Sequence, residues 1–149
     1  MSDLNTAQFA FKNAVNLYND NNLNEAIEQL NEILKIHPNH ENALDLSGII
    51  FIKQNKLEEA LNVVNKSIKL VKNNKKYLDI KYKLLIYKGD NNNAFDCLRL
   101  LHKKYPSVNS AREISNHYLD LDEKDKADET IQTFLAVSYT HLTLPTTTS

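Results

Sequence analysis

Five histidines, one cysteine and a lysine-rich stretch are the side chains with which this chain could do chemistry. His37 and His40 flank one turn, and His102 and His117 lie further on. A metal centre needs three or four converging ligands drawn from Cys, His and carboxylates. No cysteine is near in sequence and no His-Glu-x-x-His run occurs, so no metal is expected and the histidines read as solvated turn and surface groups. Cys97, between Asp96 and Leu98, would need exposure and a neighbour that lowers its pKa to act as a nucleophile. In a helix it reads instead as a small packing residue. The stretch KLVKNNKKYLDIKYK sets Lys69, Lys72, Lys75, Lys76, Lys81 and Lys83 beside Tyr77 and Tyr82. Lysines of this kind can take phosphate while tyrosines stack on bases. Against that stand Asp79, four residues before Lys83 as in a helix-surface ion pair, and the acidic run DLDEKDKADE. The net charge of -1 offers no field to gather nucleic acid, which is disfavoured as a partner. With only 2 glycines, the chain cannot write a phosphate-cradling loop, a dinucleotide fingerprint or a nucleophile elbow. Neither a cofactor nor catalysis by this segment is expected.

The elements that would position any such group repeat along the chain. Ala26, Ala60 and Ala94 stand 34 residues apart (94 − 60 and 60 − 26), and Pro38 and Pro106 stand twice that far apart (106 − 38). Each proline follows its alanine by 12 residues, so two residue types share one period. Within a unit the pattern is two amphipathic helices. Phe9, Ala10, Ala14 and Leu17 mark the first, and Ala26, Ile27, Leu30, Ile33 and Leu34 the second. Asn21, Asn55 and Gly89 recur between the helices, and these are residues that tolerate the left-handed conformation ending a helix. Asn22 with Glu25 three residues on predicts a capping box, and Pro38 closes the unit. Close packing of paired helices calls for small residues at the contact, which Ala14, Gly48, Ala26, Ala60 and Ala94 supply.

At these residues the sequence resembles the tetratricopeptide repeat, a helix-turn-helix unit that stacks into a superhelix. The family's small residue in the first helix matches Ala14 and Gly48, and its large apolar partner matches Leu17, Phe51 and Leu85. Ala26, Ala60 and Ala94 match its small residue in the second helix, and Pro38 and Pro106 its closing proline. A fourth unit starts one residue early, with Tyr118 and Ala127 in the corresponding places. Lys72 in place of a proline, Tyr82 in place of a small residue and Asn91 in place of an apolar one depart from the pattern. The resemblance implies an all-α fold, a right-handed α-solenoid of stacked helix-turn-helix repeats over about residues 7–40, 41–74, 75–107 and 108–135, the last truncated.

The resemblance also implies a concave groove that binds extended peptides or partner helices. Its positions fall on Phe11, Val15 and Tyr18; on Asp45, Ile49 and Ile52; and on Lys76, Asp79, Lys83 and Tyr87. The family subset that clamps a peptide's terminal carboxylates uses Lys and Asn where Phe11 and Val15 stand, so that recognition is disfavoured. An amphipathic partner anchored at Ile49 and Ile52, with an ion pair to Lys83, fits better. The bland alternative is that these apolar residues only fill contacts between repeats.

No signal peptide is evident and no apolar run approaches the roughly 20 residues of a membrane span, so a cytoplasmic protein is expected. After Ala136 the composition changes: AVSYTHLTLPTTTS has no Asn, Lys, Asp or Glu. Val137 to Thr146 back-translates as GTC TCT TAT ACA CAT CTG ACG CTG CCG ACG, which resembles the end of a transposase-derived sequencing adapter. The expectation is a repeat domain over residues 1–136 and a non-native or disordered tail over 137–149. The solenoid would then lack its closing helix, leaving Ile131 and Phe134 under-covered and that end prone to self-association. Three functions follow in order: a protein-interaction scaffold, the N-terminal arm of a larger bacterial enzyme of glycosyltransferase or sulfotransferase type, and weak RNA binding through the third repeat.

Overall fold

The computed structural model describes residues 3–143, and these form α-helices joined by short turns, with no strand among them. The helices are α1 (Asp3–Asn19), α2 (Leu23–Ile36), α3 (Glu41–Lys53), α4 (Leu57–Leu70), α5 (Lys75–Lys88), α6 (Asn91–Lys104), α7 (Val108–Asp120) and α8 (Lys124–Thr143). They belong to two compact units, α1–α5 and α6–α8, which divide between Lys88 and Gly89, inside the third sequence repeat.

In the first unit α1 packs on α2, α2 on α3, α3 on α4 and α4 on α5, while α1 also touches α3. The alanines sit where helices meet: Ala14 and Ala26 are fully buried, and Ala60 nearly so. Leu30, Ile33 and Ile50 complete the core around Ala14 and Ala26. Each buried Leu or Ile contributes roughly 1.5–3 kcal/mol. In the second unit, Ala94, Cys97, Leu98 and Leu101 of α6 form a core with Ala111 and Ile114 of α7 and Ala127 of α8. Cys97 is therefore buried packing material, away from the exposure a reactive thiol needs.

The turns within the helix pairs share one geometry. Asn21, Asn55, Gly89 and Asp122 all have positive φ, of 63°, 57°, 84° and 59°. At three of them the backbone closes as a Schellman motif: the N–H of Asn22 donates to Leu17 O, that of Lys56 to Phe51 O and that of Glu123 to Tyr118 O, each at 2.8 Å. Asp122 carries the period into the fourth repeat, one residue early as Tyr118 and Ala127 are.

Several expectations need correcting. Asn22 makes no side-chain cap. Its carbonyl alone accepts, from the Ala26 N–H at 3.0 Å. Side-chain caps stand elsewhere: the Asp90 carboxylate accepts the Asn93 N–H at 3.4 Å within the third repeat, and others lie between repeats. Ser107 and Ser110 form a reciprocal capping box on α7. The Nδ1 of His40 accepts the Ala43 N–H at 3.0 Å on α3, so His40 is a structural cap and not a solvated turn residue. Where Lys72 replaces proline, Asn73 takes φ 54° and turns the chain without one. Of the stripe expected on α1, Ala10, Ala14 and Leu17 pack on the core while Phe9 is 68% exposed, and Ala7, Phe11 and Tyr18 widen the packed face. Asp79 pairs with Lys75 at 3.0 Å, offsetting a cation in the first turn of α5.

The change of composition at Val137 does not coincide with the end of a helix, since α8 runs on to Thr143. No glycine or proline interrupts it before Pro145. Ile131 and Phe134 are half-buried, and Val137 is exposed. Residues 144–149 of the expected tail lie outside the described residues.

Candidate functional site

Of the side chains that the resemblance assigns to a groove, the structure brings four together. Asp45, Ile49, Ile52 and Lys76 line a small cavity of about 70 Å³ between α3, α4 and α5. Its floor is Gly48 of α3 with Ala60, Val63 and Val64 of α4, and Tyr77 and Ile80 of α5 form the far wall. Ile49 and Ile52 stand at its mouth, 49% and 45% exposed, whereas Ile33 and Ile50 are buried in the core. Single exposed apolar residues are ordinary on a protein surface. Two of them one helical turn apart, over an apolar opening, form a contiguous patch.

The sequence assigns Gly48 to close packing of α3 on α4. A Cβ built there would lie 3.6 Å from Val63 Cγ1, an ordinary van der Waals contact. An alanine would fit, so the glycine is not required by the helix contact. What its missing side chain does is deepen the cavity. A mid-helix glycine costs about 1 kcal/mol relative to alanine, and here that cost leaves open space facing solvent.

The rim is polar and tied together. Tyr77 Oη donates to Asp45 Oδ1 at 2.9 Å, and Lys76 Nζ reaches Asp45 Oδ2 at 3.4 Å. Burial, then the Asp45 carboxylate, push the Tyr77 hydroxyl up to about 12. These contacts hold α5 against α3 across the cavity. Sequence reasoning places Asp45 and Lys76 on this face but misses Tyr77, whose interleaving with lysines points to bases instead.

The other expected groove residues do not join the cavity. Phe11, Val15 and Tyr18 pack against the core of the first unit. The Phe11 ring meets the His40 ring at 5.7 Å, and Lys53 Nζ lies 5.1 Å from the centre of the Tyr18 ring. Asp79 is occupied by Lys75. Lys83 is exposed, and Tyr87 is 72% exposed.

Histidines of the second unit are structural as well, which corrects their reading as surface groups. His117 stacks on Phe95 at 3.8 Å, and His102 Nδ1 lies 2.6 Å from Ser110 Oγ. Burial lowers the His102 pKa. Among the described residues no group of three His, Cys, Asp or Glu is placed to hold a metal ion, and no helix is long and apolar enough to cross a membrane.

No family model matches the chain, and no curated protein sequence matches it. Solved structures do. MamA from Desulfovibrio magneticus is similar with a TM-score of 0.61 at 13% identity, over 90% of this chain and 76% of that one. Another MamA structure gives 0.65 at 15% identity, over 95% and 84%. A tetratricopeptide repeat protein from Parabacteroides merdae gives 0.67 at 19% identity, over 89% of this chain and 54% of that one. The fold is accordingly all-α, a solenoid of helix-turn-helix repeats like those of tetratricopeptide proteins.

Proposed function

We propose that the first unit is a protein-recognition module that takes an apolar side chain of an amphipathic helical partner into the cavity over Gly48. The observation that carries this reading is the pair of exposed isoleucines, Ile49 and Ile52, at the mouth of an apolar cavity whose floor lacks a side chain at Gly48. An apolar anchor in a pocket, ringed by polar groups, is the usual arrangement of a binding hot spot. Asp45 and Lys76 satisfy each other, which leaves Lys83 as an exposed cation of α5 for an acidic residue on the partner. The segment acts by binding, with no reaction of its own.

The test is to select helical peptides from a displayed library on the wild-type chain and remeasure them on Ile49→Asp and Ile52→Asp. Selected sequences should share an apolar anchor with an acidic residue nearby, and either substitution should weaken them at least tenfold, about 1.4 kcal/mol. Peptides that bind both variants as tightly as wild type would remove this face from the function. Lys83→Glu should weaken the same peptides by a smaller factor.

A further inference from the structure

The second unit has a larger cavity of different chemistry, about 650 Å³, between α6 and α8 with α7 as its floor. That volume lies in the range of small-molecule sites. Both walls pack on α7 and join it through short turns, so α6 and α8 run in the same direction. Asp96 and Glu129 hold corresponding places, 33 residues apart (129 − 96), as Ala94 and Ala127 are (127 − 94). Lys103 lies two turns further along α6, roughly 10 Å at 1.5 Å per residue. Leu100 and Ile114 supply apolar surface, and Thr133 faces them from α8.

The charges divide the cavity into two ends. Arg99 lies 4.0 Å from Asp96 and over the Phe95 ring, and Lys126 is paired with Glu123 and lies over the Tyr118 ring. Asp96 occupies Arg99 and Glu123 occupies Lys126, so the cavity keeps one cation, Lys103, toward one end and one carboxylate, Glu129, toward the other. Lys103 has no ion pair among the described residues. Beside it is His102, held through Nδ1 by Ser110 Oγ.

We propose that this cavity binds a small organic monoanion, a carboxylate on an apolar body, with the carboxylate at the Lys103 and His102 end and the body over Leu100 and Ile114. Protonation of His102 strengthens the binding without undoing the fold. The Ser110 hydroxyl has the Ser107 carbonyl as an acceptor at 3.1 Å, so its oxygen can accept from an imidazolium Nδ1–H and the capping box of α7 survives. The titratable and charged groups that line the cavity with His102 are Asp96, Arg99 and Lys103 from α6, Tyr118 from α7, and Lys126 and Glu129 from α8, and the Phe134 ring of α8 lies 5.9 Å from the imidazole. An anion seated among them offsets the cost of charging the ring, so ligand binding takes up a proton.

The experiment is calorimetric titration of the full chain with octanoate, octylammonium and acetate at pH 5.5 and 7.5 in low salt. Octanoate should bind at one site, more tightly at pH 5.5 and with proton uptake; acetate, lacking the apolar body, should bind at least tenfold more weakly. Lys103→Glu should cost at least tenfold, and His102→Gln should remove the pH dependence while circular dichroism shows both variants folded. Equal binding of octylammonium, or unchanged octanoate binding by Lys103→Glu, would overturn the proposal. Neither result bears on the peptide-binding reading of the first unit, whose variants lie in other helices.

Discussion

The cavity between α3, α4 and α5 and the cavity between α6, α7 and α8 are built on the same repeat, yet one is small and apolar and the other is large and charged. In the first, α4 presents Ala60, Val63 and Val64 to the opening, and the polar groups at the rim satisfy each other. In the second, α6 and α8 present Asp96, Lys103 and Glu129, and the lysine has no ion pair among the described residues. The repeat spacing sets the helices and their turns. The residues that face outward are free of that constraint, and they alone decide what each opening can hold.

The largest effect should come from overpacking the kind of helix contact on which both cavities are built. Ala60→Leu should destabilise the chain by roughly 1–3 kcal/mol, because Ala60 is almost fully buried where α4 meets α3. An unchanged melting temperature would contradict the assigned helix contact. Next in size is Tyr77→Phe, which removes the bond to Asp45 and should cost about 0.5–1.5 kcal/mol. The raised Tyr77 pKa adds a sign: the folded state keeps the proton longer than the unfolded state, so this stability is present below about pH 10 and is lost as pH rises toward 12. Alkaline melts of wild type and Tyr77→Phe should therefore converge.

His102 gives the opposite sign in the other region. Its pKa is lowered by burial, so its contribution is present above about pH 6.5 and is lost as pH falls through the folded value. Melting temperatures of wild type should fall on acidification more steeply than those of His102→Gln; parallel curves would show that burial of the ring has no linkage to folding. The smallest effect should be at the surface, where Lys75→Ala removes the exposed ion pair to Asp79 and should change stability by no more than about 0.5 kcal/mol.

Much of the fold is legible in the sequence because the backbone requires particular residues at particular places. The left-handed turn selects Asn21, Asn55 and Gly89, and the close helix contacts select Ala26, Ala60 and Ala94. Asp122 shows that the rule holds through a change of residue and a shift of one position. Less of the site can be read. Ile49 and Ile52 stand out as apolar residues on an outward face, whereas Phe11, Val15 and Tyr18, assigned to the same groove, lie partly buried against the core and outside the cavity. Gly48 looks like a packing residue because sequence cannot tell a glycine that a neighbour requires from one that leaves a space. The His40 cap is hidden for a similar reason: its ring accepts from a backbone N–H three residues on, a bond that its residue type does not announce.

Gly48→Ala tests the central claim, that this glycine keeps a binding cavity open at a cost in stability. The added methyl fits beside Val63, so the variant should be more stable by about 0.4–1 kcal/mol. The measurement is the affinity of a library-selected helical peptide for this variant and for wild type, taken with both melting temperatures. Weaker binding by the more stable protein is the expected result. Higher stability with unchanged affinity would contradict the account, because the space over Gly48 would then have no part in recognition.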